Sequence, residues 1–145
     1  MKAVVQRVTQ TTLYCDGKLI SHIDKGLVVY FGAQKGDTKE KADYLAKKIA
    51  ALRVFADENG KMNLSQKDVG GEILAVSQFT LLADTSHGNR PSFTMAEEPS
   101  LANDLYNYFV EKLRAEGAIV KCGIFGGDMK IHQENDGPVT IIYEI

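Results

Sequence analysis

This sequence is short of the residues that most often announce a site. Of its 145 residues only two are cysteine and three are histidine. Cys15 and Cys122 form no CxxC pair and lie in apolar, strand-like surroundings. Such thiols read as small buried hydrophobes in a reducing compartment, and the sequence alone leaves a disulfide between them open. His22, His87 and His132 stand far apart, none at a ligand-like spacing from a cysteine or a carboxylate, so no metal site is expected and no motif asks for a cofactor. Phosphate-binding glycine loops are also missing. Gly126-Gly127 is not followed by Lys-Ser or Lys-Thr, and Gly70-Gly71 leads into a strand rather than a helix. No GxSxG elbow surrounds Ser77. No apolar run approaches membrane-spanning length, and Met1–Arg7 has neither the apolar core nor the cleavage site of a signal peptide. A cytoplasmic protein with no membrane partner is the expectation. Charge of one sign is lacking too: 17 basic against 19 acidic residues give a net charge of -2. That argues against indiscriminate nucleic-acid binding while leaving room for a local basic patch.

What is present reads as one α/β domain spanning residues 1–145, with no repeat, low-complexity segment or linker to divide it. Residues 2–8 read as a strand, and 11–15 with 18–23 as a hairpin around Asp16-Gly17. Leu27–Phe31 is an unbroken apolar run, as in a strand buried on both faces. Asp37 and Glu40 have capping-box spacing, and Ala42, Leu45, Ala46, Ile49 and Leu52 recur at helical period behind them. The opposite face carries Lys39, Lys41, Lys47 and Lys48, by default a solvated face. Residues 53–56 read as a short strand, and the polar segment 61–69 resists assignment. A second helix starts near Pro99, with Leu101, Ala102, Leu105, Phe109 and Leu113 on one face and Gly117 past its end. Strands are expected at 118–123, 129–134 and 139–145, the last two joined through Asn135-Asp136-Gly137-Pro138. The order is not the regular alternation of a doubly wound sheet. Two packed, barrel-like sheets of mixed strands, flanked by two main helices, are the expected architecture.

The stretch Gly70–Leu82 holds the most pointed pattern. Its apolar run Ile73–Val76 reads as a buried strand, and Ser77, Gln78, Phe79 and Thr80 follow directly on its end. The hydroxyls either belong to a site or merely satisfy the strand terminus. A Ser-His-Asp triad assembled from Ser77 or Thr80 with His87 or His132 has no support in order or spacing. What remains is a site poor in ionisable groups, in which backbone amides near 78–80 hold an oxyanion. The loop Ala83–Glu98 is long for a compact domain and gathers His87, Arg90 and several hydroxyls.

Several of these motifs together resemble the D-aminoacyl-tRNA deacylases. They are Ala3-Val4-Val5-Gln6-Arg7-Val8, Met62-Asn63-Leu64-Ser65, Asp68-Val69-Gly70-Gly71-Glu72, Val76-Ser77-Gln78-Phe79-Thr80-Leu81, Asn89-Arg90-Pro91-Ser92-Phe93 and Asn135-Asp136-Gly137-Pro138-Val139-Thr140. The likeness runs the length of the chain. It implies hydrolysis of the ester between a D-amino acid, or mischarged glycine, and the 3′-terminal ribose of tRNA, with L-esters rejected. It implies Ser77, Gln78, Phe79 and Thr80 as catalytic residues, with Thr80 either nucleophile or only positioning a water aided by the ribose 2′-hydroxyl. It implies a homodimer in which Gly137 and Pro138, as a Gly-cis-Pro pair, enter the other subunit's site. There their carbonyls hold the α-amino group and their backbone blocks an L side chain. Phe79 and Phe125 are expected either to shape the pocket for the terminal adenosine or to belong to the core. Two details depart from the pattern. Gln133 and Glu134 stand where apolar strand residues are expected, and Ser86-His87 replaces a more basic loop start. A non-enzymatic RNA-binding module using the Lys39–Lys48 face and a general serine or threonine esterase are the competing readings.

Overall fold

A computed structural model describes residues 1–145. In chain order the elements are β1 (Lys2–Cys15), β2 (Lys18–Ile23), β3 (Gly26–Gly32), α1 (Lys39–Ala50), β4 (Arg53–Ala56), β5 (Met62–Ser65), β6 (Glu72–Ser77), a 3-10 turn (Phe79–Leu82), α2 (Pro99–Ala115), β7 (Val120–Cys122) and β8 (Met129–Glu144). β1 is the spine. β3 pairs antiparallel with its first half, β2 with its second, and β8 with the whole of its other edge. β6 lies parallel to β3, and β7 parallel to β6. Each parallel step is reached through a helix, as a parallel connection requires. The sheet curls until β7 meets β2: Ser21 Oγ donates to Cys122 O at 2.7 Å, and Lys121 Nζ donates to His22 O at 2.7 Å. The result is a nearly closed mixed sheet carrying two helices, with β4 and β5 as a separate two-stranded ribbon.

The curl explains the apolar runs. Leu27, Val29, Phe31, Ile73 and Ala75 face the helices and join a core of 22 buried residues. Their neighbours Val28, Leu74 and Val76 face the concave side and join Val8, Leu13 and Ile23 in a core of six. Strands buried on both faces cannot alternate. From α1 come Ala42, Leu45, Ala46 and Ile49, and from α2 Leu105, Tyr106, Phe109, Val110 and Leu113. Phe109 stacks on Phe31 at 4.7 Å. Each large side chain so buried contributes about 1.5–3 kcal/mol.

Several expectations are revised. β1 is one strand rather than two, and β8 likewise runs from Met129 to Glu144 without a break in sheet assignment. In their pairing Gln6 faces Thr140 while Val8 faces Asn135, so Asp136–Val139 are extra residues opposite Arg7. The segment Asn135–Pro138 therefore runs from a paired residue into a bulge, Asp136–Val139, in a long strand and is not a turn between two strands. Asp37 does not cap α1; Thr38 holds that position, with no side-chain cap bond. The Asp37 carboxylate is buried and takes the Met1 ammonium at 2.8 Å, Lys41 Nζ at 3.0 Å and Gln34 N–H at 2.7 Å. A buried charge is held where its opposite charge and donors are. Leu101 is exposed rather than packed. The unassigned polar segment supplies β5, whose solvated ribbon position permits its polar pattern. Both cysteines are free thiols, so the disulfide left open above does not form. Burial and the neighbouring Asp16 carboxylate raise the Cys15 pKa.

Candidate active site

β6 ends at Ser77, and the chain turns at once into the 3-10 turn Phe79–Leu82. Gln78 N–H donates to Phe31 O at 2.7 Å, which fastens this corner to the end of β3. The fastening depends on Gly32. A Cβ there would lie 2.4 Å from Leu82 Cδ2 and 2.9 Å from Gln78 O, so any side chain would push the corner off β3.

Beneath the corner lies a cavity of about 490 Å³. Ser77, Gln78 and Phe79 form one wall, Ala96, Glu97, Pro99 and Ala102 another, and Phe125–Gly127 with Met129 and Ile131 the third. Tyr106 lies at its base, its hydroxyl donating to Ala75 O at 2.9 Å. Burial, with Cys122 beside it, raises the Tyr106 pKa, so this phenol stays neutral and structural. Glu97 is the one carboxylate on the walls. Its oxygens are taken by Gly36 N–H at 3.3 Å and Glu98 N–H at 3.0 Å. No histidine lines the cavity.

Backbone donors distinguish the corner. Gln78 N–H is spent on Phe31, so the expectation of amides across 78–80 narrows. Phe79 and Thr80 open the 3-10 turn, and their N–H groups have no acceptor within the chain. First-turn N–H groups are the ones a helix leaves unpaired. The Thr80 hydroxyl accepts from Gln78 Nε2 and faces no base. Phe79 lines the cavity and Thr80 does not, so the two free N–H donors lie on the corner beside it, where such donors suit an oxygen that gains charge.

Phe125 packs against Tyr106 at 6.3 Å and faces the cavity, so it is a wall residue rather than plain core. Gly137 and Pro138 are exposed, are joined by a cis peptide bond, and are absent from the walls of their own chain's cavity. Arg7 holds their bulge. Its Nε lies 3.0 Å from Asp136 Oδ2 and 3.3 Å from Asp136 O, and its Nη1 donates to Val54 O. Gln133, the polar residue out of pattern, accepts from Tyr30 OH at 2.9 Å and donates to Gln6 Oε1 and Asn135 Oδ1, each at 2.7 Å. It is a satisfied polar link beneath the strand rather than a packing fault. Burial raises the Tyr30 pKa, which keeps that link neutral. Nothing in the local sequence assigns Arg7 or Gly32 a role of its own. A charged residue inside an apolar strand and a small residue closing an apolar run are the signals that mark them.

The whole fold is shared with known proteins. A family model described as D-Tyr-tRNA(Tyr) deacylase matches residues 4–144. The D-aminoacyl-tRNA deacylase of Lacticaseibacillus casei (strain BL23) is 52% identical over 144 residues, 99% of this chain and 97% of that one. Its counterpart in Rhodopirellula baltica (strain DSM 10527 / NCIMB 13988 / SH1) is 50% identical over 145 residues, covering 100% of both. Among solved structures, a c-Myc DNA unwinding element binding protein superposes with a TM-score of 0.93 at 44% identity, over 100% of this chain and 99% of that one. A structure described as that of a probable eukaryotic D-amino acid tRNA deacylase matches with a TM-score of 0.85 at 18% identity, over 99% and 98% of the two chains, and speaks for the fold. Fold and relatives define a single-domain α/β protein of the ester-hydrolase class. The chain belongs to the D-Tyr-tRNA(Tyr) deacylase family.

Proposed function

We propose that this chain hydrolyses the ester between a D-amino acid, or glycine, and the 3′-terminal ribose of tRNA, and spares L-esters. The observation that carries the chemistry is the pair of unpaired N–H groups of Phe79 and Thr80 on the corner that walls a cavity whose only carboxylate is already engaged. The ester carbonyl oxygen sits under these donors. Water adds to the carbonyl carbon, and its proton passes by way of the ribose 2′-hydroxyl to the departing 3′-oxygen. The acyl C–O bond breaks, giving free amino acid and tRNA. Losing one such donor typically slows an acyl transfer by about 100- to 1,000-fold. Thr80 positions the water through its hydroxyl, because no base stands ready to take its proton.

Chirality is assigned to a second copy of the chain. Gly137 and Pro138 are exposed and do not line their own chain's cavity. β8 pairs only with β1, so its outer edge is open along a 16-residue strand. Its inner apolar row, Val139, Ile141 and Tyr143, is only half-buried. Open edges of that length are normally covered. In a homodimer each copy would insert Gly137 and Pro138 into the other's cavity, their carbonyls holding the α-ammonium and their backbone filling the space of an L substituent. Selectivity then comes from exclusion and tolerates many D side chains. Phe79 and Phe125 form the walls for the terminal adenosine. A cytoplasmic location accords with a tRNA substrate. No helix is long and apolar enough to cross a membrane.

Incubation with D-Tyr-tRNA and L-Tyr-tRNA tests this reading. The D-ester is cleaved and the L-ester persists. Survival of both esters would leave an RNA-binding module, and equal cleavage of both would leave a general esterase.

A further inference from the structure

The aromatic pair at the cavity rim has a surface that the reaction above does not use. Phe79 is 57% exposed although it lines the cavity. Phe93 meets it edge-on, with ring centroids 5.0 Å apart and planes at 66°, and does not itself line the cavity. The pair therefore runs outward from the mouth. Met95, 48% exposed, continues the apolar surface along the same segment.

This surface is built rather than incidental. The long loop carrying Phe93 is pinned on both sides of that residue. Asp84 and Ser92 exchange backbone hydrogen bonds at 2.8 and 2.9 Å, Lys35 N–H donates to Met95 O at 3.0 Å, and Glu97 N–H donates to Ala33 O at 3.0 Å. Arg90 is exposed two residues before the Asp84–Ser92 bridge closes. A half-buried aromatic thus stands on a fixed loop, beside an exposed one, with a cation near by.

We propose that Phe93 and Phe79 form a stacking platform for the base of the nucleotide that precedes the terminal adenosine. The proposal rests on the deacylase reading. A strand that enters the cavity by its 3′ end and leaves across this rim places its next base over the aromatic pair. Single-stranded nucleic acid is bound in this way, by aromatic faces that accept any base, with nearby cations for the backbone. Such a contact serves affinity for the tRNA end and takes no part in the chemistry at the carbonyl.

Two substrates separate these roles: D-Tyr-tRNA, and the D-tyrosyl ester of adenosine, which has no preceding nucleotide. Phe93→Ala should raise KM for D-Tyr-tRNA by about tenfold, within the range of one base–aromatic stack, and leave kcat unchanged. It should not alter cleavage of the adenosine ester, and Phe93→Tyr should restore the tRNA KM. Removing only the base of the penultimate nucleotide should weaken wild type by the same factor and Phe93→Ala no further. Equal losses on both substrates would overturn the platform and make Phe93 a prop for the Phe79 ring. Undiminished sensitivity of Phe93→Ala to the missing base would overturn it as well. If wild type cleaves neither ester, the deacylase reading itself falls, a result distinct from either of these.

Discussion

At the scale of single residues, the proposed site is one that lacks ordinary catalytic groups. Thr80 has a hydroxyl but no partner base: its oxygen accepts from Gln78 Nε2, and Glu97 is held by two backbone N–H groups. Thr80→Ala is therefore expected to keep D-Tyr-tRNA cleavage within about tenfold of wild type, since it removes a positioning contact but no general base or nucleophile. Single-turnover rates check this. A loss of several orders of magnitude would restore Thr80 as nucleophile. Gly137 is the opposite case, a residue whose missing side chain matters. Its φ is +120°, and a Cβ would stand 2.9 Å from Val139 Cγ2 and 3.1 Å from Val139 N. Gly137→Val must shift the bulge. A displacement of about 1 Å in a positioning group can cost about 100-fold, so D-ester cleavage should fall by that order at temperatures well below the variant's lowered unfolding midpoint, where the chain is still folded. Unchanged rate and unchanged D/L preference would remove Gly137 from the site.

At the scale of elements, two local devices place the two halves of the proposed site. One is the corner at the end of β6, fastened to β3 through Gln78 N–H and admitted by Gly32. The other is the bulge of β8, gripped by Arg7, whose guanidinium reaches a carboxylate, that residue's carbonyl and the carbonyl of Val54. Arginine's planar fork suits this several-point grip and lysine's point charge does not. Arg7→Lys should keep the fold, because one charge contact to Asp136 survives, yet lower D-Tyr-tRNA cleavage by about tenfold or more as the bulge loosens. Comparing kcat/KM with the unfolding midpoint tests this. Parallel loss of stability and rate would mark Arg7 as a fold residue only. Gln133 makes the same point for polar packing. Its link to Tyr30, Gln6 and Asn135 ties the strand before the bulge to β1 and β3, which an apolar residue there would do by contact alone.

At the scale of the whole molecule, the proposed site is divided between two copies, and mixing experiments can see this. Phe79→Pro removes one of the free N–H donors at the first position of a helical turn, where proline is tolerated, and Gln78 before it is already extended with φ -147° and ψ 85°. Phe79→Pro and Gly137→Val should each be nearly inactive alone. Mixed and allowed to exchange subunits, they should recover about a quarter of wild-type activity, because half the dimers are then mixed and each has one intact composite site. No recovery on mixing, with exchange verified by mass spectrometry, would place Gly137 in its own chain's cavity.

Much of this was legible from the residues. Helical spacing over Ala42–Leu52 and the unbroken run Leu27–Phe31 report burial directly, because a buried face must be apolar wherever the element lies. The Ser77–Thr80 corner and the Gly137-Pro138 pair stand out through the family resemblance, since local composition alone fits a strand terminus and an ordinary turn. What sequence could not decide were relations between distant segments. Asp37 looked like a cap because its neighbours are local, but its carboxylate turned to the Met1 ammonium, which only the folded chain brings to it. Asn135–Pro138 looked like a turn because turn residues and bulge residues are the same residues. Pairing with β1 on both sides, Thr140 with Gln6 and Asn135 with Val8, made it a bulge. Local sequence places Gln78 among the free amides, but β3 takes its N–H. Composition and periodicity thus determined the kind of fold and the scarcity of acids and bases. Tertiary structure alone decided which backbone groups remain unpaired, since a hydrogen bond between remote strands leaves no mark in local sequence.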